Sequence, residues 1–484
     1  MIDSIAAWVR RCLLAAAANV SLFVTTSFFV TGLLIQGPSF WWRGYVDLFE
    51  SYVLIPWGMA LCLLRLERRT REHCAHMRWD LNVLFVLLAW LIVPFAFRFG
   101  ATFNNVGSWH NHTVLFFGVY ALTAEESAHR REKLFDLAAL LFSLSALALG
   151  AALMYCVITV QQFGDAQFAF GVCEGIYLCA NGHYNTTGMV AVCSALMSLA
   201  GAARFRKTPL RALCLVSVAL MTVTAVLTQS RTARYSLIAG YALLVYGGLC
   251  GRLKVKRAFL RHAAAIAAAC AVAAAGYAGA GLITDAAIAH YNRAQQDAVE
   301  ASVIPAAMAE ERNAAGEQEK AAAPEEAVQT EYQTREAVDS SFSGRTGIWR
   351  NLIQRWKDDP KYLLIGHGIG RIGGMVTENT IHEGREGVSI HNTYLQFMAD
   401  YGLVGFGLLC VFFALIAAPV ARVFFARGAQ ATPGYRSLCA MAAASLLTGM
   451  MESAPLGAMT PMNTALFFAL ALLASAGREM ENPK

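Results

Sequence analysis

The residues best suited to chemistry fall in three short stretches. Arg231 and Arg234 lie in TQSRTARYS, between two apolar runs. Arg345 lies in SGRTGIW, and His391 and Asn392 lie in SIHN, just before another apolar run. A planar guanidinium forms paired hydrogen bonds to phosphate that an ammonium cannot match. The arginines therefore point to an anionic, phosphate-bearing ligand. The competing readings are a headgroup contact or a salt bridge to Glu452 or Asp400 for Arg231 and Arg234, and an ordinary loop arginine for Arg345. Histidine, with an ordinary pKa of about 6.5, suits proton transfer near neutral pH. His391 stands out because it sits where a long polar segment meets an apolar run. No Cys/His spacing matches a zinc site, so no metal is expected. Gly368, Gly370 and Gly373 match G-x-G-x-x-G, but no strand pattern precedes them. A turn, not a dinucleotide site, is the expected structure there.

The elements that must position these residues are set by composition. The 484 residues are 57% apolar and 15% charged, against about 45–50% and about 25% in globular domains. That balance excludes a soluble multidomain enzyme and a disordered chain. A membrane-crossing helix needs about 20 mostly apolar residues. Twelve runs qualify: 12–36, 48–66, 81–97, 106–123, 135–159, 185–203, 210–228, 233–250, 260–283, 399–421, 436–453 and 460–477. Placing both termini in the cytoplasm puts 24 Lys or Arg on the short cytoplasmic segments and 4 on the short outer ones. The positive-inside rule therefore fixes the orientation.

One long segment, 284–390, separates the ninth and tenth runs. It holds 11 Lys or Arg against 17 Asp or Glu. Its first half is rich in Ala, Glu and Gln and predicts helices, broken at Pro305 and Pro324. In its second half Ile348, Leu352 and Trp356 share one helical face. The organisation is then 1–283 with nine transmembrane helices, 284–390 as an outer segment carrying part of the active site, and 391–484 with three more. Cys173 and Cys179 share the outer loop 160–184, where a disulfide is permitted by compartment but not required by spacing.

These stretches together resemble the bacterial superfamily of O-antigen ligases, O-antigen polymerases and related oligosaccharyltransferases. His391-Asn392, nine residues, then Gly402-Leu403-Val404-Gly405 is similar to the ligase pattern H-[N/S/Q]-x9-G-x-x-G. SGRTGIW followed by LLIGHGIG resembles the segment before that histidine, and SRTARYS resembles the family's S-R motif. NGHYN at 181–185 resembles an H-P-N stretch, with Tyr184 in place of proline, and Tyr235 stands where leucine is usual. The resemblance implies an all-α polytopic membrane protein of the GT-C-like type, with about twelve transmembrane helices and a mainly helical periplasmic segment, in the bacterial inner membrane. It implies a glycosyltransferase that moves a glycan from undecaprenyl pyrophosphate to a sugar hydroxyl of lipid A–core, with inversion, on the periplasmic face. No cofactor, metal or nucleic acid enters that scheme; the partners are the lipid-linked donor, the core acceptor and membrane lipid. Arg231 and Arg345 would bind the pyrophosphate and His391 would be the base, with Arg234, Asn392 and His183 in support. Two readings remain open: an O-antigen polymerase, whose acceptor is another lipid-linked glycan, and a twelve-span exporter.

The charge asymmetry yields a direct test. Single cysteines in a background lacking the native ones are expected to react with an impermeant thiol reagent at 300–340 and to stay unlabelled at 65–80 in cells permeable only at the outer membrane. The reverse pattern inverts the topology.

Overall fold

In the computed structural model the described residues are 20–35, 78–96, 114–164, 169–173, 177–180, 184–206, 208–253, 257–314, 343–368, 390–427, 433–452 and 460–481, with short pieces at 48–61 and positions 112 and 376. They form α1 (Val20–Ile35), α2 (Trp79–Ala96), α3 (Ala128–Thr159), α4 (Tyr184–Arg204), α5 (Thr208–Leu227), α6 (Arg231–Arg252), α7 (Ala258–Ala314), α8 (Ser343–Asp358), α9 (Pro360–Ile365), α10 (Thr393–Phe425), α11 (Tyr435–Thr448) and α12 (Pro461–Glu481). Five helices among the described residues are long and apolar enough to cross a membrane, within 128–159, 184–204, 209–227, 258–297 and 393–425. α4 and α12 are buried on nearly every face. A helix apolar all round belongs at the centre of a bundle, and both pack there.

Two elements differ from the sequence reading. The loop after α3 is not helical, so the chain is not purely α. Strands β1 (Gln162–Phe163), β2 (Phe170–Cys173) and β3 (Tyr177–Cys179) pair antiparallel in that order, with Val172 opposite Leu178. Aromatic and β-branched residues favour such strands, and a Cys173–Cys179 disulfide staples the second hairpin. The second difference is in α7, which runs unbroken from the ninth apolar run past 283 and through Pro305 to Ala314. Proline removes one backbone donor, but its fixed φ is compatible with a helix. Pro324 lies outside the described residues.

Polar contacts collect at the two ends of the bundle. At one end Asp80, fully buried, takes Arg78 at 2.8 Å, Arg478 at 3.0 Å and the Tyr120 hydroxyl at 2.6 Å. Arg131 bonds Glu479, and Arg204 bonds Glu132 and Asp136. At the other end lie the start of α4, α6, α10 and α12 and the finish of α3 and α11.

There α10 bends. Gly402 has φ 71° and ψ 179° inside the helix, a region that only glycine adopts readily. Three successive carbonyls at the bend receive donors from outside the helix. The His367 amide meets Ala399 O at 2.7 Å, the Gly368 amide meets Asp400 O at 3.0 Å, and the Trp90 indole of α2 meets Tyr401 O at 2.8 Å. A Cβ on Gly402 would overlap the Leu364 carbonyl, and one on Gly366 (φ 82°) the Asp400 carbonyl. Gly366 of LLIGHGIG and Gly402 of G-x-x-G thus meet in one backbone-to-backbone dock. Gly368 follows the helix α9 rather than a strand, and Gly370 and Gly373 lie outside the described residues.

The bend supports a prediction. Gly402→Ala should cost about 1–3 kcal/mol from backbone conformation alone, before the overlap with Leu364. A lowered unfolding midpoint in detergent, relative to a Gly407→Ala control, is the expected result; Gly407 has open space at its Cβ position.

Candidate active site

The site is built from three segments far apart in sequence. The first is α8, which carries Arg345 in its first turn. Ile348, Leu352 and Trp356, spaced one turn apart, are buried with Val376, Ile390 and Ala399. This apolar face lays α8 against the start of α10. The second segment is Ile390–Thr393. Asn392 is the N-cap of α10, its side-chain oxygen accepting from the Tyr394 and Leu395 amides at 3.0 Å each. Such a cap contributes about 1 kcal/mol. The third is the turn after α11, residues 449–452.

That turn offers four successive carbonyls, and each takes a donor from the other two segments. Gly449 O accepts from the Thr393 amide at 2.7 Å. Met450 O accepts from the Asn392 amide side chain at 2.9 Å, and Met451 O from Arg345 at 2.7 Å. Glu452 O accepts from the Thr393 hydroxyl at 2.6 Å. The Glu452 side chain completes the arrangement: one oxygen takes Arg345 Nη2 at 2.7 Å, the other faces His391 Nδ1 at 3.3 Å. The carboxylate is 6% exposed, while Arg345 and His391 are 22% and 25% exposed. The carboxylate is therefore sealed behind two groups that still reach solvent. With Nδ1–H donating to Glu452, the lone pair resides on Nε2. The ring is thereby set up to accept a proton.

His391 has φ 52°. The left-handed region costs an L-residue roughly 1–2 kcal/mol, and the anchors on either side of His391 hold it there.

Arg231 opens α6, whose N-cap Ser230 accepts from the Ala233 amide at 3.3 Å. Arg234 lies in the same first turn. A helix N-terminus carries partial positive charge and free amides, which reinforces the arginines. Ser236, one turn on, bonds the Thr448 hydroxyl at 2.9 Å, directly before the 449–452 turn. Gly188 lets α4 close on the same turn of α6; a Cβ there would lie 2.6 Å from Ala233 Cβ. The Ala180 amide and carbonyl both bond the Thr187 hydroxyl, at 2.7 and 2.9 Å, so the disulfide hairpin abuts this end as well.

The structure thus joins Arg345, His391 and Asn392 in one contact network and sets the first turn of α6 at the same end. His183 lies outside the described residues. Asp400, a candidate partner for the α6 arginines, instead accepts from Gln396 at 3.1 Å. Glu452 is the residue that the motifs do not mark. Its only sequence signal is an acidic residue between two adjacent apolar runs.

Residues 216–410 match the family model described as O-Antigen ligase. The match covers 195 of the 484 residues and supports the likeness to the O-antigen ligase superfamily. No curated protein matches the chain. The ligase-family segment contains Arg231, Arg345 and His391 and stops short of Glu452. Members of the family are glycosyltransferase-like enzymes of lipopolysaccharide biosynthesis. Five long apolar helices, together with that match, mark the chain as a multi-pass membrane protein.

Removing one partner of a buried ion pair costs about 3–5 kcal/mol, because a charge is left uncompensated. Arg345 is partly exposed, so Glu452→Ala should fall at or below the lower end of that range. Glu452→Gln, which keeps a hydrogen-bond acceptor, should lose less. Thermal unfolding of both variants in detergent checks the order; equal stability in all three proteins contradicts it.

Proposed function

We propose that the protein is an O-antigen ligase, transferring a glycan from undecaprenyl pyrophosphate to a sugar hydroxyl of lipid A–core at the outer face of the bacterial inner membrane. The observation that carries the reading is the meeting of Arg345 and His391 on Glu452. Pyrophosphate is a good leaving group, so its departure calls for charge neutralisation. Arg345 and Arg231 supply it, in a setting poor in water where fixed charges act strongly. A sugar hydroxyl is a poor nucleophile. As its oxygen bonds to the anomeric carbon, its proton passes to His391 Nε2, the bond from that carbon to pyrophosphate oxygen breaks, and polyprenyl pyrophosphate leaves as an anion. General-base assistance of this kind is worth about 10²–10⁴-fold. Attack opposite the leaving group inverts the anomeric centre. Glu452 orients the imidazole and stabilises it once protonated, in the manner of the acidic member of a triad. Arg234, Asn392 and His183 take supporting roles.

In this reading the chain crosses the membrane about twelve times, both termini are cytoplasmic, and 284–390 is periplasmic. Two observations favour that sidedness. Arg78, Arg131, Arg204 and Arg478, from loops on the lysine- and arginine-rich side, gather at the end of the bundle away from the site. The Cys173–Cys179 disulfide lies at the site's end, and disulfides persist in oxidising compartments.

The test uses purified protein, an undecaprenyl-pyrophosphate-linked glycan, and lipid A–core. Glycan on the core is the expected product, and a ladder built on the carrier without core would make the protein a polymerase. Arg231→Ala and Arg345→Ala should each slow transfer by about 10²–10³, the loss seen when one oxyanion donor is removed, and lysine should restore part of it. Near-normal rates in both folded alanine variants end the pyrophosphate-clamp reading.

A further inference from the structure

The left-handed backbone of His391 has a specific cause. The backbone of Ile390, immediately before it, is gripped at both its carbonyl and its amide. Its carbonyl accepts from the Trp349 indole N–H at 2.9 Å. Its amide donates to the Gln396 side-chain oxygen at 3.1 Å. The Gln396 amide cannot turn over without loss, because its nitrogen donates to both carboxylate oxygens of the buried Asp400, at 3.1 Å each. The Ile390 side chain is fully buried among Ile348, Leu352, Trp356, Val376 and Ala399. On the other side of His391, Asn392 and Thr393 are pinned to the 449–452 turn. His391 is therefore the single residue joining two fixed anchors. A residue that spans two fixed points has its φ imposed by them, which is how an unfavourable conformation persists.

We infer that Trp349 is a positioning residue for the base, holding the Ile390 carbonyl so that the backbone of His391 turns left-handed and its ring meets Glu452. Gln396, oriented by Asp400, grips the Ile390 amide in the preceding peptide unit, so the backbone on both sides of the Ile390 Cα is fixed. Trp349 and Arg345 are one turn apart on α8. One rigid helix thus carries both the guanidinium that binds the donor and the anchor of the base, and their separation is set by the pitch of that helix. This explains why SGRTGIW carries an arginine and a tryptophan four residues apart. The inference rests on the reading of His391 as base.

The decisive change removes only the indole donor. Full-length protein with β-(3-benzothienyl)alanine at 349 keeps the ring system and places sulfur where the N–H was. Trp349→Phe is a coarser version. The expected result is a fall in kcat of about tenfold or more, with the KM for donor and acceptor unchanged. A positioning residue that acts through His391 has nothing left to position once the imidazole is gone, so the two changes should not add. Trp349→Phe combined with His391→Gln should transfer no more slowly than His391→Gln alone. Unchanged kcat in the benzothienyl protein overturns the inference, as does a further loss of the same size in the double variant. Substantial activity in His391→Gln by itself would instead sink the base assignment, and it is read from that variant without reference to position 349.

Discussion

The end of the bundle that carries Arg345 and His391 is organised around one carboxylate. Glu452 is almost sealed from solvent, and it joins Arg345, 107 residues earlier, to His391, 61 residues earlier. An isolated buried carboxylate is costly, and the cost falls only when its oxygens are paired. The guanidinium of α8 takes one oxygen and the imidazole before α10 faces the other. The cation needs the anion, and an imidazole that donates from Nδ1 to the anion keeps its lone pair on Nε2. In the proposed function that lone pair takes the acceptor's proton beside the arginine that holds the donor.

The backbone makes that meeting possible. The 449–452 turn presents four carbonyls to donors from α8 and from the start of α10. A short way along α10, the bend at Gly402 presents three more to α2 and to the segment after α9. Buried backbone oxygens without partners are rare because desolvation penalises them. Bending a helix therefore demands donors, and the donors fix what packs there. The first turn of α10, with Asn392 and His391 ahead of it, is held as a separate short piece between these two sets of bonds. Rigidity of this kind is what proton transfer requires, since misplacement by about 1 Å can cost 10²-fold.

Much of this was legible in the sequence, for identifiable reasons. Apolar runs mark helices because chemistry and length are tied by the bilayer, and the face of Ile348, Leu352 and Trp356 follows from helical period. Arg345 and His391 were singled out by residue type and place, and the structure brings them to one carboxylate. Glu452 was legible only as a salt-bridge candidate for Arg231 and Arg234; its pairing with Arg345 and His391 spans 107 and 61 positions, which no local pattern carries. The sheet at 162–179 escaped because short strands beside a long helix leave too few residues to establish a period. Gly366 carried no local signal of its own, and the close approach of its backbone to α10 at Asp400 and Tyr401 is a contact across sequence that no local pattern carries.

The central claim is that His391, oriented by Glu452, takes the proton of the acceptor hydroxyl. The rate of glycan transfer by wild type and His391→Gln, measured with donor and acceptor both saturating, tests it most directly. The account predicts a loss of about 10²–10⁴-fold in the variant with donor binding unchanged, because glutamine keeps a hydrogen bond but cannot accept the proton. A glutamine variant that keeps most of the wild-type rate would contradict it.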